Sequence, residues 1–174
     1  MDIKNVFESL SEELASRGLF RELTICGGAA LIALNIIGRE TKDVDVLIPK
    51  IDADLNLAAE KVAVKLKLNN RWLNNGPAML VHELPHDWKE KLEVIYKSEN
   101  LIVKSIGRRD LIYSKLYAAA DRIDDIEDLV SLRPTEEELK EAKELVLKQD
   151  ASDIWHKIVD ECVNNLKKRL GHVR

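Results

Sequence analysis

The sequence predicts an α/β (α+β) protein: a small mixed β-sheet with flanking helices, followed by a C-terminal helical bundle. Three observations predict it. Leu23 to Ile48 reads as a strand, a Gly-Gly turn, an apolar helix and a second strand. Two further strand-like runs, Leu92 to Tyr96 and Leu101 to Ile106, are separated by the turn residues Ser98-Glu99-Asn100. From Arg109 onward the apolar residues recur at helical spacing. The expected organisation is a core over residues 1–108 and a helical region over 109–174 packed on it.

Residues 3 to 17 place Ile3, Val6, Phe7, Leu10 and Leu14 on one helical face, with Gly18 as the stop. This is a covering helix without chemistry of its own. Leu23 to Cys26 is apolar and partly β-branched, and Gly27-Gly28 follows where a strand must turn into a helix. Two glycines let backbone N–H groups approach a ligand closely, and a helix beginning at Ala29 points its positive end at the same place, which suits a phosphate. That helix, Ala29 to Ile37, is apolar nearly all round and therefore predicted to be buried, with Gly38 ending it.

In Asp43-Val44-Asp45-Val46-Leu47-Ile48 the aspartates stand two apart on a strand, so their carboxylates share a face while Val44, Val46 and Ile48 take the other. Like charges about 7 Å apart repel and Asp suits strands poorly, so a cation should offset the cost. A hard divalent ion, Mg²⁺ or Mn²⁺, binding one or two carboxylates together with phosphate oxygens, is the natural candidate. The plain alternative is a pair of strand-end acids facing water.

Further along, Asp52 caps a helix from about Ala53 to Leu68, and turn residues surround Trp72 between Asn69 and Pro77. Ala78 to Leu84 reads as a strand. Asp110 favours the start of the next helix, on which Lys115 and Arg122 lie seven apart along one stripe. Asp125 and Asp128, three apart, come together if helix resumes there. Thr135-Glu136-Glu137-Glu138 is a capping box. The last helix, about Ser152 to Leu170, turns Ile154, Ile158, Val159, Cys162, Val163, Leu166 and Leu170 inward and ends on Lys167, Lys168, Arg169 and Gly171.

Gly27-Gly28, a helix, and then Arg39-Glu40-Thr41-Lys42-Asp43-Val44-Asp45 resemble the signature of the nucleotidyltransferase superfamily that includes DNA polymerase β. The likeness is to small prokaryotic nucleotidyltransferases of unknown function with an R-x-T-x-D-x-D ending, and more distantly to abortive-infection and type IV toxin nucleotidyltransferases. Gly28 stands where Ser is more usual, and the spacing to Asp43 is long. The resemblance implies a nucleotidyltransferase fold, with Gly27, Gly28 and Thr41 at the nucleotide and Asp43 and Asp45 as catalytic metal ligands. It also implies a third carboxylate from a later strand, for which Glu83 and Glu93 are available and Glu93 is favoured. The segment from Lys115 to Leu129 resembles the second motif of the toxin-type enzymes, a Lys-Leu on a helix, an Arg, then Asp-x-x-Asp-Leu. By that resemblance Lys115 contacts nucleotide phosphates, Asp125 holds or orients it, and Arg122 and Asp128 support the site. The bland alternative is a solvated helix face with ion pairs worth a few tenths of a kcal/mol each.

The chain of 174 residues is 45% apolar and 33% charged, enough for a substantial core and unlike a disordered segment. Its net charge of −4 advertises no nucleic acid, so a polynucleotide partner would need a local basic patch. Cys26 and Cys162 lie far apart with no zinc spacing, the pattern of reduced thiols in a cytoplasm. No signal segment or membrane-length apolar run is found. The expected activity is metal-dependent transfer of a nucleoside monophosphate from an NTP to an acceptor that the sequence leaves open among RNA, protein and small molecule. A toxin or defence role with an antitoxin partner is one setting for it. The alternative is a silent nucleotidyltransferase fold serving as a nucleotide- or partner-binding module.

Overall fold

The computed structural model describes residues 1–121 and 126–171, so Arg122 and Asp125 lie outside the described residues. The chain divides into two compact units, Met1–Gly107 and Arg108–Arg174.

The first unit is built on a five-stranded mixed sheet of β1 (Arg21–Cys26), β2 (Val44–Ile48), β3 (Leu73–Asn74), β4 (Glu93–Lys97) and β5 (Leu101–Ser105), ordered β3-β2-β1-β5-β4. β1 runs antiparallel to β2 and parallel to β5, while β2–β3 is parallel and β4–β5 antiparallel. Four successive residues of the central strand, Leu23, Thr24, Ile25 and Cys26, are buried, as expected for a strand covered on both faces. Helices α1 (Ile3–Ser16), α2 (Gly27–Ala33) and α3 (Ala53–Leu66) complete the unit, with α1 packed on α2 and α3. The expected inward face of α1 is buried at all five positions, and the Asp2 side chain caps it by accepting from the Asn5 amide. Asp52 caps α3 in the same way through the Leu55 amide. Trp72 is fully buried and its indole N–H donates to the Ala59 carbonyl, so the ring fills the core without an orphaned donor.

Two elements of this unit differ from expectation. α2 is seven residues long and ends at Ala33, with Leu34 as its cap, before Gly38. Asn35 adopts a left-handed φ of 57°, its amide donates to the Ile32 carbonyl, and the Ile36 amide donates to the Leu31 carbonyl. This is a Schellman turn, with Asn in place of the more common Gly. Ala78–His82 is a 3-10 helix and not a strand. The cause lies just upstream, where the Asn75 side chain donates to the Val46 and Pro49 carbonyls and accepts from the Ile51 amide. A side chain thereby takes the hydrogen-bonding capacity beside β2 that a longer β3 would use, and the ladder ends at Asn74.

The second unit contains α4 (Arg108–Asp121), α5 (Ile126–Leu132), α6 (Glu136–Leu147) and α7 (Asp153–Leu170). α4 packs against the other three, and α7 also packs against α5 and α6, which makes a bundle. The capping box forms as expected, with the Thr135 hydroxyl accepting from the Glu138 amide and the Glu138 carboxylate accepting from the Thr135 amide. Val159, Val163 and Leu166 bury α7, whereas Ile154, expected inward, is largely exposed because it lies in the first turn. Gly171 closes the helix with φ 74°.

Candidate active site

The register of β1 against β2 sets the geometry of the expected site. Cys26 pairs with Asp45, so the residue at which β1 turns into α2, Gly27, meets the Asp45 side chain. A methyl group at Gly27 would stand 2.6 Å from Asp45 Oδ2. Gly27 also has φ +70°, where other residues are strained. The backbone favours glycine, and any side chain there would also have to displace the Asp45 carboxylate. A methyl at Gly28 would lie 3.3 Å from Thr41 Oγ1 and 3.4 Å from an Arg39 guanidinium nitrogen. The Thr41 hydroxyl lies 3.3 Å from the Asp43 carbonyl oxygen and 3.4 Å from Asp43 Oδ1, able to donate to one at a time. Thr41 is buried, Asp45 half-buried, and Asp43 exposed just ahead of β2. Gly27, Gly28, Arg39, Thr41, Asp43 and Asp45 therefore form one cluster in which bare backbone, a hydroxyl, a cation and two carboxylates converge.

The donor set suits a hard divalent cation. Two carboxylates supply part of a coordination shell that phosphate oxygens complete, and the missing side chain at Gly27 lets the backbone approach Asp45 Oδ2 closely. Among the described residues no group of three or more His, Cys, Asp and Glu side chains could hold a metal alone. Glu93 does not join the aspartates. It sits on β4, separated from β2 by β1 and β5, which at about 4.8 Å per strand is roughly 14 Å. An ion bound at about 2.0 to 2.6 Å by each ligand does not bridge that gap. The sequence gives the strands but not their order, which is why Glu93 looked available. On the side of Asp45 away from Cys26 the sheet places Asn74, whose Oδ1 accepts from the Gly76 amide. Arg39 is a further residue at the cluster that the motif contained but the spacing gave no role; only the return of the loop onto Gly28 reveals it.

In the second unit, Lys115 and Asp128 form a buried ion pair of 2.7 Å, with side-chain exposures of 9% and 3%. Neither the solvated face nor an isolated lysine describes this arrangement. Asp110, fully buried in the first turn of α4, accepts from Arg109 at 3.1 Å. The residue in contact with Lys115 is Asp128, expected only to support the site, whereas Asp125, expected to hold Lys115, and Arg122 fall outside the described residues.

Among the described residues no helix is long and apolar enough to cross a membrane. No curated protein and no solved structure matches the chain. Its mixed sheet and helices make a nucleotidyltransferase-like α+β fold. A family described as "nucleotidyltransferase of unknown function (DUF6036)" matches residues 2–162, and with a match over most of its length the chain belongs to that family.

Proposed function

We propose that the protein transfers a nucleoside monophosphate from an NTP to an acceptor hydroxyl, using a divalent metal held by Asp43 and Asp45. The observation that carries this reading is the absence of any side chain at Gly27, where even a methyl would collide with Asp45 Oδ2. Backbone and carboxylate are brought together there as a triphosphate with its counter-ion requires. The backbone amides at Gly27 and Gly28 donate to phosphate oxygens, Thr41 orients Asp43, and the Arg39 guanidinium neutralises phosphate charge. When bound, the metal supplies Lewis-acid polarisation and charge neutralisation at the phosphates. For the second unit the proposal is that Lys115 contacts nucleotide phosphates, with Asp125 orienting it and Asp128 and Arg122 in support.

The test is thermal. Mg²⁺ or Mn²⁺ with the correct NTP at about 100 times its Kd should stabilise the fold by about 2.7 kcal/mol, raising Tm, and Asp43→Asn with Asp45→Asn should abolish the metal-dependent part. An unchanged shift in that double variant puts the metal elsewhere. Labelled NTPs incubated with cell extract then identify which fraction becomes modified.

One observation favours a second reading, a silent binding module: the strand neighbours of Asp45 are Cys26 and Asn74, neither a third acid. A Tm shift without transfer to any fraction decides for it. A cytoplasmic toxin with an antitoxin partner is one setting for the transfer activity; growth arrest on expression, lost with Asp43→Asn, tests it.

A further inference from the structure

Beside Asp43 the first unit opens a cleft of about 520 Å³ lined by Met1, Glu40, Thr41, Lys42, Asp43, Lys67, Leu68, Asn69 and Arg71. Three cations enter it from three places: Lys42 from the loop before β2, Lys67 from the end of α3, and Arg71 from the loop that follows. Lys67 is the left-handed cap of α3, with φ 55°, and from it the chain turns into the cleft wall. All three cations are exposed, and among the described residues none is in an ion pair. Other lysines of the unit are ion-paired, Lys65 with Glu12, Lys91 with Asp87 and Lys104 with Glu22, and those that are not do not line this cleft. A local cationic excess in a chain of net charge −4 is costly to leave unmatched and focuses the field on this cleft.

We propose that this cleft seats the acceptor, and that the acceptor is a single-stranded polynucleotide held by its phosphates with its terminal hydroxyl delivered at Asp43. The proposal rests on the nucleotidyltransferase reading of Asp43 and Asp45. Spaced cations match a chain bearing one negative charge per nucleotide, whereas a neutral small acceptor or a protein hydroxyl offers them nothing. Among the described residues no aromatic ring lines the cleft, so it grips backbone and does not stack bases, which makes binding tolerant of sequence. In the transfer the acceptor oxygen bonds to the α-phosphorus as the bridging bond to the β-phosphate breaks. Pyrophosphate leaves with that electron pair, and the hydroxyl proton passes to water.

The probe is a 5′-fluorescein single-stranded RNA of about a dozen nucleotides, a length in the range of single-strand sites, followed by anisotropy without NTP. Three phosphate contacts predict a log–log salt slope of about −2, a loss of roughly 20-fold in affinity between about 50 and 200 mM salt. Lys42→Gln with Lys67→Gln and Arg71→Gln should remove that dependence while leaving Tm unchanged, and Lys140→Gln, an exposed lysine on α6, should leave binding as it is. A wild type that ignores RNA at low salt, a triple variant that binds it undiminished, or polyglutamate competing as well as RNA overturns the proposal. Asp45→Asn separates the two readings, because Asp45 does not line the cleft: it should lose the NTP-dependent Tm shift and keep RNA binding. An NTP shift without RNA binding sinks the cleft alone. RNA binding through these cations with no NTP shift in wild type upholds the polynucleotide groove and overturns its role as the acceptor seat.

Discussion

Gly27 and Gly18 both adopt positive φ, but a methyl group at Gly18 would meet nothing within 4 Å. The two positions therefore separate backbone strain from collision. Gly18→Ala should cost about 1 kcal/mol, the price of a left-handed residue, with the NTP-dependent Tm shift preserved. Gly27→Ala adds displacement of the Asp45 carboxylate, so urea unfolding should show a larger loss, up to about 3 kcal/mol, and the shift should disappear. Equal losses at both sites would mean that Asp45 moves aside freely. At Arg39 the expected effect is on binding: Arg39→Ala should weaken NTP by roughly tenfold, the scale of a lost hydrogen bond to a charged group, which calorimetry would read. Much of this cluster was legible in the sequence, because Gly-Gly and the paired aspartates have spacings that a strand, a turn and a returning strand must satisfy. Arg39 was not, since its position depends on where a loop folds back, and Glu93 misled because strand order is a tertiary property.

At the scale of helices, the pair joining α4 to α5 should matter for stability as well as for any work at a phosphate. Lys115→Met leaves Asp128 charged in an almost water-free place and should cost about 3 to 5 kcal/mol; Lys115→Met with Asp128→Leu should recover most of it. Urea midpoints of the two variants check this, and a single variant as stable as wild type would show that water reaches Asp128. A milder pair joins α4 to the start of α6. The Glu138 carboxyl is held below its ordinary value of 4.5, first by the hydrogen bond from Arg108 and then by the Thr135 amide and the Arg108 charge, against desolvation. The unfolded chain binds this proton more readily, so the contribution is present above about pH 4.5 and fades as pH falls through the lowered folded value. Both side chains are partly exposed, so it amounts to less than about 1 kcal/mol. Glu138→Gln keeps the capping geometry, and its stability deficit should therefore shrink on acidification below that pH. Most helices were legible from caps and spacing. The end of α2 and the residues after Asn75 were not, because each is decided by hydrogen bonds that propensity does not encode: an Asn replacing Gly in a Schellman turn, and a side chain occupying a strand's edge.

For the molecule as a whole, net charge sets colloidal behaviour. With a sequence pI near 5.7, solubility should pass through a minimum close to that pH and recover on either side, as turbidity of a concentrated sample would show. The same net negative charge opposes the approach of any polyanion, so the cations around Lys67 must act at short range, within a Debye length of about 8 Å at physiological salt. Composition alone announced a folded chain; it said nothing of where the matched and unmatched lysines would fall.

The contact between Gly27 and Asp45 carries a consequence for inheritance. Two positions in contact are coupled, so in a randomised library the side chains accepted at one should depend on what occupies the other. A shorter residue at 45 would admit Ala at 27 sterically, yet the left-handed backbone would still penalise it, leaving the rescue incomplete. Survivors of selection for folding should therefore relax residue 45 first, whereas selection for nucleotide binding should return both wild-type residues together.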